Sequence, residues 1–292
     1  MSVKTKRVML ALFLSVFLIF PTAVLANTYS SILAFGDSLS DNGVYGQYGD
    51  AVNISNADIY GIQRFSNGPV WVEYLAGPSH LNVPLLDLAI GGATTGWDDP
   101  AVGSSYYGLQ WQVWAYKTYI SASISPTTLV TLWAGGNDMF NLRPSDTAAD
   151  NIELAIQNLI AIGGHSFLIP NLPINITDSD DIKSWKQAFD IELASDLASL
   201  MGLNPGVDIY ELDMNGFVPT GIDFYTGTWQ AQTYGPGIYA WWDQVGVHPT
   251  TEVHAQIADY AAAAVPEPAT MLLLGCGLIG LAGYGRKKFF KK

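Results

Sequence analysis

Five short apolar runs constrain this chain most: SILAF (31–35), PLLDLAI (84–90), TLVTLWA (128–134), SFLIP (166–170) and VDIYELD (207–213). Segments of this length, rich in β-branched and aromatic residues and bounded by small or turn-forming residues, read as strands. The stretches between them carry a helical period. In 146–163, Ile152, Ile156, Leu159 and Ile160 share one face; in 181–202, Trp185, Phe189, Leu193, Leu197 and Leu200 do the same. A third such stretch covers 250–264. Apolar strands alternating with amphipathic helices imply a parallel sheet covered on both faces. The expectation is a three-layer α/β/α domain with about five parallel strands.

The two ends of the 292-residue chain follow a different logic. Residues 1–26 place Lys4, Lys6 and Arg7 before an apolar stretch, followed by Val24-Leu25-Ala26, the pattern of a secretory signal cut after Ala26. An uncleaved membrane anchor is the plainer alternative. At the other end, VPEPAT (265–270) leads into an apolar segment, 271–285, and a basic end, 286–292. That segment is marginal for crossing a bilayer, and the basic cluster belongs on the cytoplasmic side. This arrangement, with Pro266-Glu267-Pro268 at its head, resembles the PEP-CTERM sorting signal of Gram-negative bacteria. The resemblance implies processing by exosortase-type machinery and delivery to the cell surface or extracellular matrix. It also implies transient or permanent membrane contact through the tail.

Residues 27–264 remain, enough for one large domain with a full core. They hold five basic residues against 25 acidic ones, for a net charge near −20. Nucleic acid is thereby excluded as a partner, since phosphate neutralisation needs clustered Lys and Arg. The single cysteine, Cys276, lies in the tail, so the domain has no disulfide, thiolate nucleophile or cysteine metal site.

The first three apolar runs end in small, polar clusters: GDSLSDNG (36–43), GGATT (91–95) and GGND (135–138). In open α/β sheets, sites collect beyond the carboxyl ends of the strands, so three sequence-distant clusters converge on one crevice. Ser38, expected at a helix start, reads either as a nucleophile or as an ordinary N-cap. Histidine is scarce. His80 lies in a loop, His165 precedes a strand, and His254 falls inside the last helix, where packing or local hydrogen bonding suits it. His248, in VGVHPTT, lies in a loop that can reach over the strand ends, with Pro249 starting the last helix at its first turn. Gly91 and Gly92 let backbone approach closely, and Asn137 offers a side-chain N–H; both are also common turn residues. The Gly-, Trp- and Tyr-rich stretches 97–108 and 215–242 are long for connectors.

In this order and context, Ser38, Gly92, Asn137 and His248 resemble the GDSL, or SGNH, hydrolases across nearly all of 31–262. QRFSNGPVWVEYLA (63–76) and IPNLP (169–173) are also similar to that family. The resemblance implies a flavodoxin-like fold with Ser38 as nucleophile and His248 as base. It further implies an oxyanion hole from the N–H groups of Ser38 and Gly92 with the Asn137 amide. No metal or cofactor is needed. One departure stands out: the family's acid lies three residues before its histidine, where this chain has Val245. The nearest acid is Asp243, which Gly246 could let reach the imidazole. A backbone carbonyl is the other candidate partner. The expected activity is that of an exported esterase or lipase acting on a lipid, small ester or acetylated glycan through an acyl-enzyme. An O-acetyl polysaccharide esterase and a non-catalytic surface or matrix binding protein are the alternatives.

Overall fold

The computed structural model describes residues 29–43, 64–66, 68–174, 178–220, 228–229, 232–233 and 248–265. β1 (Ser31–Gly36) is followed by α1 (Trp71–Ala76) and β2 (Leu85–Asp87). A small ribbon comes next, β3 (Asp98–Asp99) and β4 (Ser104–Tyr107), then α2 (Leu109–Ala115), which runs into a π turn at Tyr116–Ile120. The remaining elements are β5 (Thr128–Trp133), α3 (Gly136–Phe140), α4 (Ser145–Ile160), β6 (Ser166–Pro170), α5 (Asp180–Leu203), β7 (Asp208–Leu212), the short pair β8 (Thr228–Trp229) and β9 (Gln232–Thr233), and α6 (Thr251–Ala264).

Five strands form one sheet in the order β2-β1-β5-β6-β7, every pairing parallel. Side chains alternate across it, as the pleat requires. Leu33, Phe35, Val130, Leu132, Phe167 and Ile169 face a core closed by α2, α4 and α5. Ile32, Ala34, Leu129, Trp133, Leu168 and Leu212 face the opposite core, closed by α1 and α6. The result is the expected three-layer arrangement. In α4 and α5 the predicted faces point inward: Ile152, Ile156 and Leu159 from one, Phe189, Leu193, Leu197 and Leu200 from the other, are all buried. α5 begins where Ser179 Oγ accepts the Ile182 N–H at 3.3 Å, an N-cap.

Two local expectations need correction. Stretch 97–108 is ordered ribbon rather than loop: Gly108 N–H donates to Trp97 O at 2.9 Å, and Thr94 N–H to Asp98 O at 3.2 Å. Pro249 stands just outside the last helix, with Thr250 as N-cap and Thr251 as the first helical residue. Of stretch 215–242, only 215–220, 228–229 and 232–233 fall within the described residues, and the signal (1–26) and the sorting tail beyond residue 265 lie outside them. Among the described residues no helix is long and apolar enough to cross a membrane.

Candidate active site

β1 delivers Ser38 to the carboxyl end of the sheet. The side-chain amide of Gln112, on α2, holds both peptide groups of Gly36 at the strand's last residue. Gly36 N–H donates to Gln112 Oε1 at 2.9 Å, and Gln112 Nε2 donates to Gly36 O at 2.8 Å and to Tyr107 O at 3.0 Å. The chain then turns sharply. Ser40 and Asp41 N–H both reach Asp37 O at 3.0 Å, and Leu39 N–H reaches Asp37 Oδ1 at 3.0 Å. Ser38 therefore sits on a single turn, not at the helix start expected from sequence, because Asp37 supplies both the closing carbonyl and a side-chain acceptor.

His248 arrives from 210 residues away, and its Nε2 lies 2.8 Å from Ser38 Oγ. Both residues are buried, Ser38 to 7% and His248 to 9% exposure. The loop carrying His248 is clasped by the segment before α1. Ser66 Oγ donates to Pro249 O at 2.9 Å, and Thr251 Oγ1 donates to Pro69 O at 2.9 Å. Phe65 lies against the imidazole with ring centroids 5.3 Å apart and planes tilted by 33°. Asp243 lies outside the described residues.

The glycine pair closes the other side. A Cβ on Gly91 would fall 2.0 Å from Phe65 Cε2, so only glycine admits the ring that backs His248. Gly92 has φ +87°, and a Cβ there would also meet Asp99 Oδ1 at 2.5 Å. Gly91 N–H is already engaged by Asp41 Oδ2 at 2.8 Å. Asn137, at the start of α3, donates from Nδ2 to Ala93 O at 3.0 Å, fixing its amide beside the glycine block. Asp138 ties the same two blocks, accepting Thr95 N–H at 2.8 Å and Thr95 Oγ1–H at 2.9 Å. All the described candidates thus come to one mouth of the sheet. The other histidines stand elsewhere. His254 is fully buried on α6, taking the Trp71 N–H on Nδ1 at 3.2 Å. His80 contacts Tyr74 O and Asp259, and His165 lies beside Gly206 O.

Sequence reasoning missed Gln112, Phe65 and the bracing role of Asp41. Asp41 sits inside GDSLSDNG and could have been read as an acceptor; no pattern marks Gln112.

Several carboxyls behind the site are shifted upward. Burial pushes Asp37 up to about 7, against the lowering effect of the Leu39 N–H and with the charges of Asp138 and Asp41 adding to the rise. Asp99 is likewise pushed by burial to about 7, and burial raises Asp87 and Asp138 above the usual range. These acids brace backbone rather than gather a cation. Among the described residues, the carboxylate group that could hold a metal ion is Asp150, Glu192 and Asp196, on the outer helices α4 and α5.

The family model for GDSL-like lipase/acylhydrolase matches residues 32–261. A second, for the PEP-CTERM protein-sorting motif, matches 264–287 and marks export through that sorting system of Gram-negative bacteria. Thermolabile hemolysin of Vibrio parahaemolyticus is 31% identical over 189 residues, 60% of this chain and 40% of that protein. Phosphatidylcholine-sterol acyltransferase of Aeromonas hydrophila is 27% identical over 201 residues, 63% of this chain and 59% of that protein. The chain thus aligns with less than two thirds of either relative. A solved lipolytic protein of the G-D-S-L family from Veillonella parvula covers 80% of this chain and 97% of its own at 17% identity, TM-score 0.46.

Proposed function

This chain belongs to the GDSL-like lipase/acylhydrolase family, and from its site we propose that it is an exported serine hydrolase of carboxylic esters. One observation carries the reading: Ser38 Oγ and His248 Nε2 within 2.8 Å, in a buried setting, across 210 residues of chain. That separation is the hydrogen-bonded reach a nucleophile and its base require.

His248 Nε2 takes the Ser38 hydroxyl proton as Oγ attacks the ester carbonyl carbon. The negative charge that develops on the carbonyl oxygen is met by the N–H groups of Ser38 and Gly92 and by the Asn137 amide. In this reading Asn137 turns an N–H now shared between Ala93 O and Asp37 Oδ2 toward the oxyanion, and a preorganised donor of this kind is worth roughly 2.7–4 kcal/mol of barrier. The engagement of Gly91 N–H by Asp41 favours Gly92 as the glycine donor. Collapse of the tetrahedral intermediate breaks the bond to the alcohol oxygen, which leaves with the proton held by His248. Water, deprotonated by the same imidazole, then attacks the acyl carbon, and cleavage of the bond to Ser38 Oγ releases the acid as His248 returns the proton to Oγ. Asp243 is the proposed group orienting His248, a role recognised by geometry rather than sequence spacing.

The domain boundaries follow the same reading: signal 1–26, catalytic domain 27–264, sorting tail 265–292. The tail's motif supports exosortase-type machinery as partner and the cell surface or matrix as destination. An acyl-chain-length profile of the purified chain beside its Ser38→Ala variant tests the function. Hydrolysis of aryl esters by the native chain alone is expected. Preferential acetate release from acetylated xylan would move the reading to a polysaccharide deacetylase, and equal rates for the two proteins would reject catalysis.

A further inference from the structure

The described surface carries an aromatic ladder formed by Trp97, α2 and its π turn. Trp97 and Trp114 have ring centroids 6.3 Å apart, and Trp114 and Tyr119 are 5.4 Å apart. Trp97 is 50% exposed, Trp114 41% and Tyr119 72%, with Ile120 at 51% next to Tyr119 in sequence. Singly, exposed apolar residues need no explanation; rings in mutual contact on the outside of a domain do. Their neighbours face inward: Leu109, Val113 and Tyr116 are buried, and Tyr116 packs edge-on against Phe35 at 6.0 Å. Helix α2 and its π turn thus use one side for the core and leave the other uncovered among the described residues.

Charge narrows the occupant. From Pro100 to Asn137 there is no Asp or Glu and one cation, Lys117, in a domain near −20. Such a domain is repelled by anionic polymers and anionic bilayers, yet this segment presents a neutral, apolar surface. Ring geometry narrows it further. The planes meet at 51° and 89°, so they offer no flat run on which successive sugar rings could stack. Exposed Ile120 adds aliphatic surface. Trp and Tyr, apolar in body and polar at the tip, are suited to the headgroup level of a bilayer. Two connections join the ladder to the proposed chemistry. Trp97 begins the ribbon tied back through Thr94 to the glycine block, and a sorting tail with an apolar segment follows α6 in sequence.

We propose that Trp97, Trp114, Tyr119 and Ile120 form an interfacial docking surface for a zwitterionic lipid bilayer, from which ester substrate is drawn to Ser38. The surface stands on its own observations; its link to lipid esters rests on the hydrolase reading.

Hydroxyl-radical footprinting of the full chain, with and without phosphatidylcholine vesicles, tests it. Vesicles are expected to protect Trp97, Trp114 and Tyr119 from oxidation while the exposed Leu154, Ile191 and Leu203 stay unprotected. The triple variant Trp114→Ser/Tyr119→Ser/Ile120→Ser is expected to keep wild-type rates on a soluble aryl ester but to lose about tenfold on the same ester presented in vesicles. Vesicle retention without ladder protection would mean that the tail alone binds, and would overturn the proposal. Protection by a soluble neutral polysaccharide but not by vesicles would overturn it in favour of a glycan. Absence of soluble-ester hydrolysis would fell the hydrolase reading while the footprint still decided the docking surface.

Discussion

The N–H of Gly91 donates to Asp41 Oδ2 at 2.8 Å, and the other oxygen of that carboxylate accepts Gly43 N–H, also at 2.8 Å. Asp41 is fully buried. Its carboxylate therefore pins the glycine block of one strand end to the serine turn of another, which fixes the direction in which the next N–H, that of Gly92, points.

Replacing Asp41 by Ala should release that block. The expected outcome is a fall in kcat of about 10- to 100-fold with KM nearly unchanged, approaching the loss of one preorganised donor. Steady-state kinetics on a soluble ester would check it. A matching rise in KM would instead place Asp41 in substrate binding.

Gln112 supports a stability prediction. Its amide satisfies the N–H and C=O of Gly36 and the C=O of Tyr107. Gln112→Ala should cost about 2–4 kcal/mol, because buried backbone groups lose their partners. Gln112→Glu, close in shape but lacking both donated hydrogen bonds, should cost at least as much. Chemical denaturation measures both, and a near-neutral Glu variant would show that packing, not pairing, is what Gln112 supplies.

The scaffold was legible in the sequence for a physical reason. A strand buried on both faces must be apolar throughout, and a helix on such a sheet must be apolar along one stripe, so the sheet and α4, α5 and α6 announce themselves. Ser38 and His248 were legible only jointly: each cluster alone also suits a cap or a turn, but GDSLSDNG, GGATT, GGND and VHPT stand in the order and context that resemble the GDSL hydrolases. What stayed hidden depends on tertiary contact. Gln112 looks like any helix polar residue until its amide is seen to span Gly36. Stretch 97–108 is a ribbon because Trp97 O and Asp98 O find backbone donors several residues away. Phe65 matters only because Gly91 leaves room for its ring beneath His248.

Asp99 yields a pH prediction. Unfolded, its carboxyl titrates near the ordinary value of about 4; folded, burial holds it at about 7. Between those values the folded state binds the extra proton. Stability contributed by Asp99 is therefore fully present below about 4 and lost as pH rises through 7. An Asn at this position stays neutral throughout. Asp99→Asn should accordingly melt higher than the native chain at pH 8, by about 4 kcal/mol or roughly 8–16 °C, with the gap closing near pH 4. Thermal melts across that range would check it; a gap independent of pH would exclude ionisation as the cause.

Gly91→Ala tests the support of His248. The added Cβ would strike Phe65, displacing the ring that lies 5.3 Å from the imidazole. The expected effect is a kcat loss of about tenfold or more, as for a small misplacement of a catalytic group. Phe65→Ala combined with Gly91→Ala should recover no activity if the ring itself positions His248, and should recover much of it if the clash alone is harmful.

Covalent trapping reaches the central relationship, a Ser38 hydroxyl activated by His248. The full chain, treated with a fluorophosphonate and digested for mass spectrometry, should carry one adduct, on Ser38. Ser38→Ala should abolish labelling, and His248→Ala should slow it by about 100-fold or more. Labelling of Ser38 at the native rate without His248, or of another serine in its place, would contradict the account.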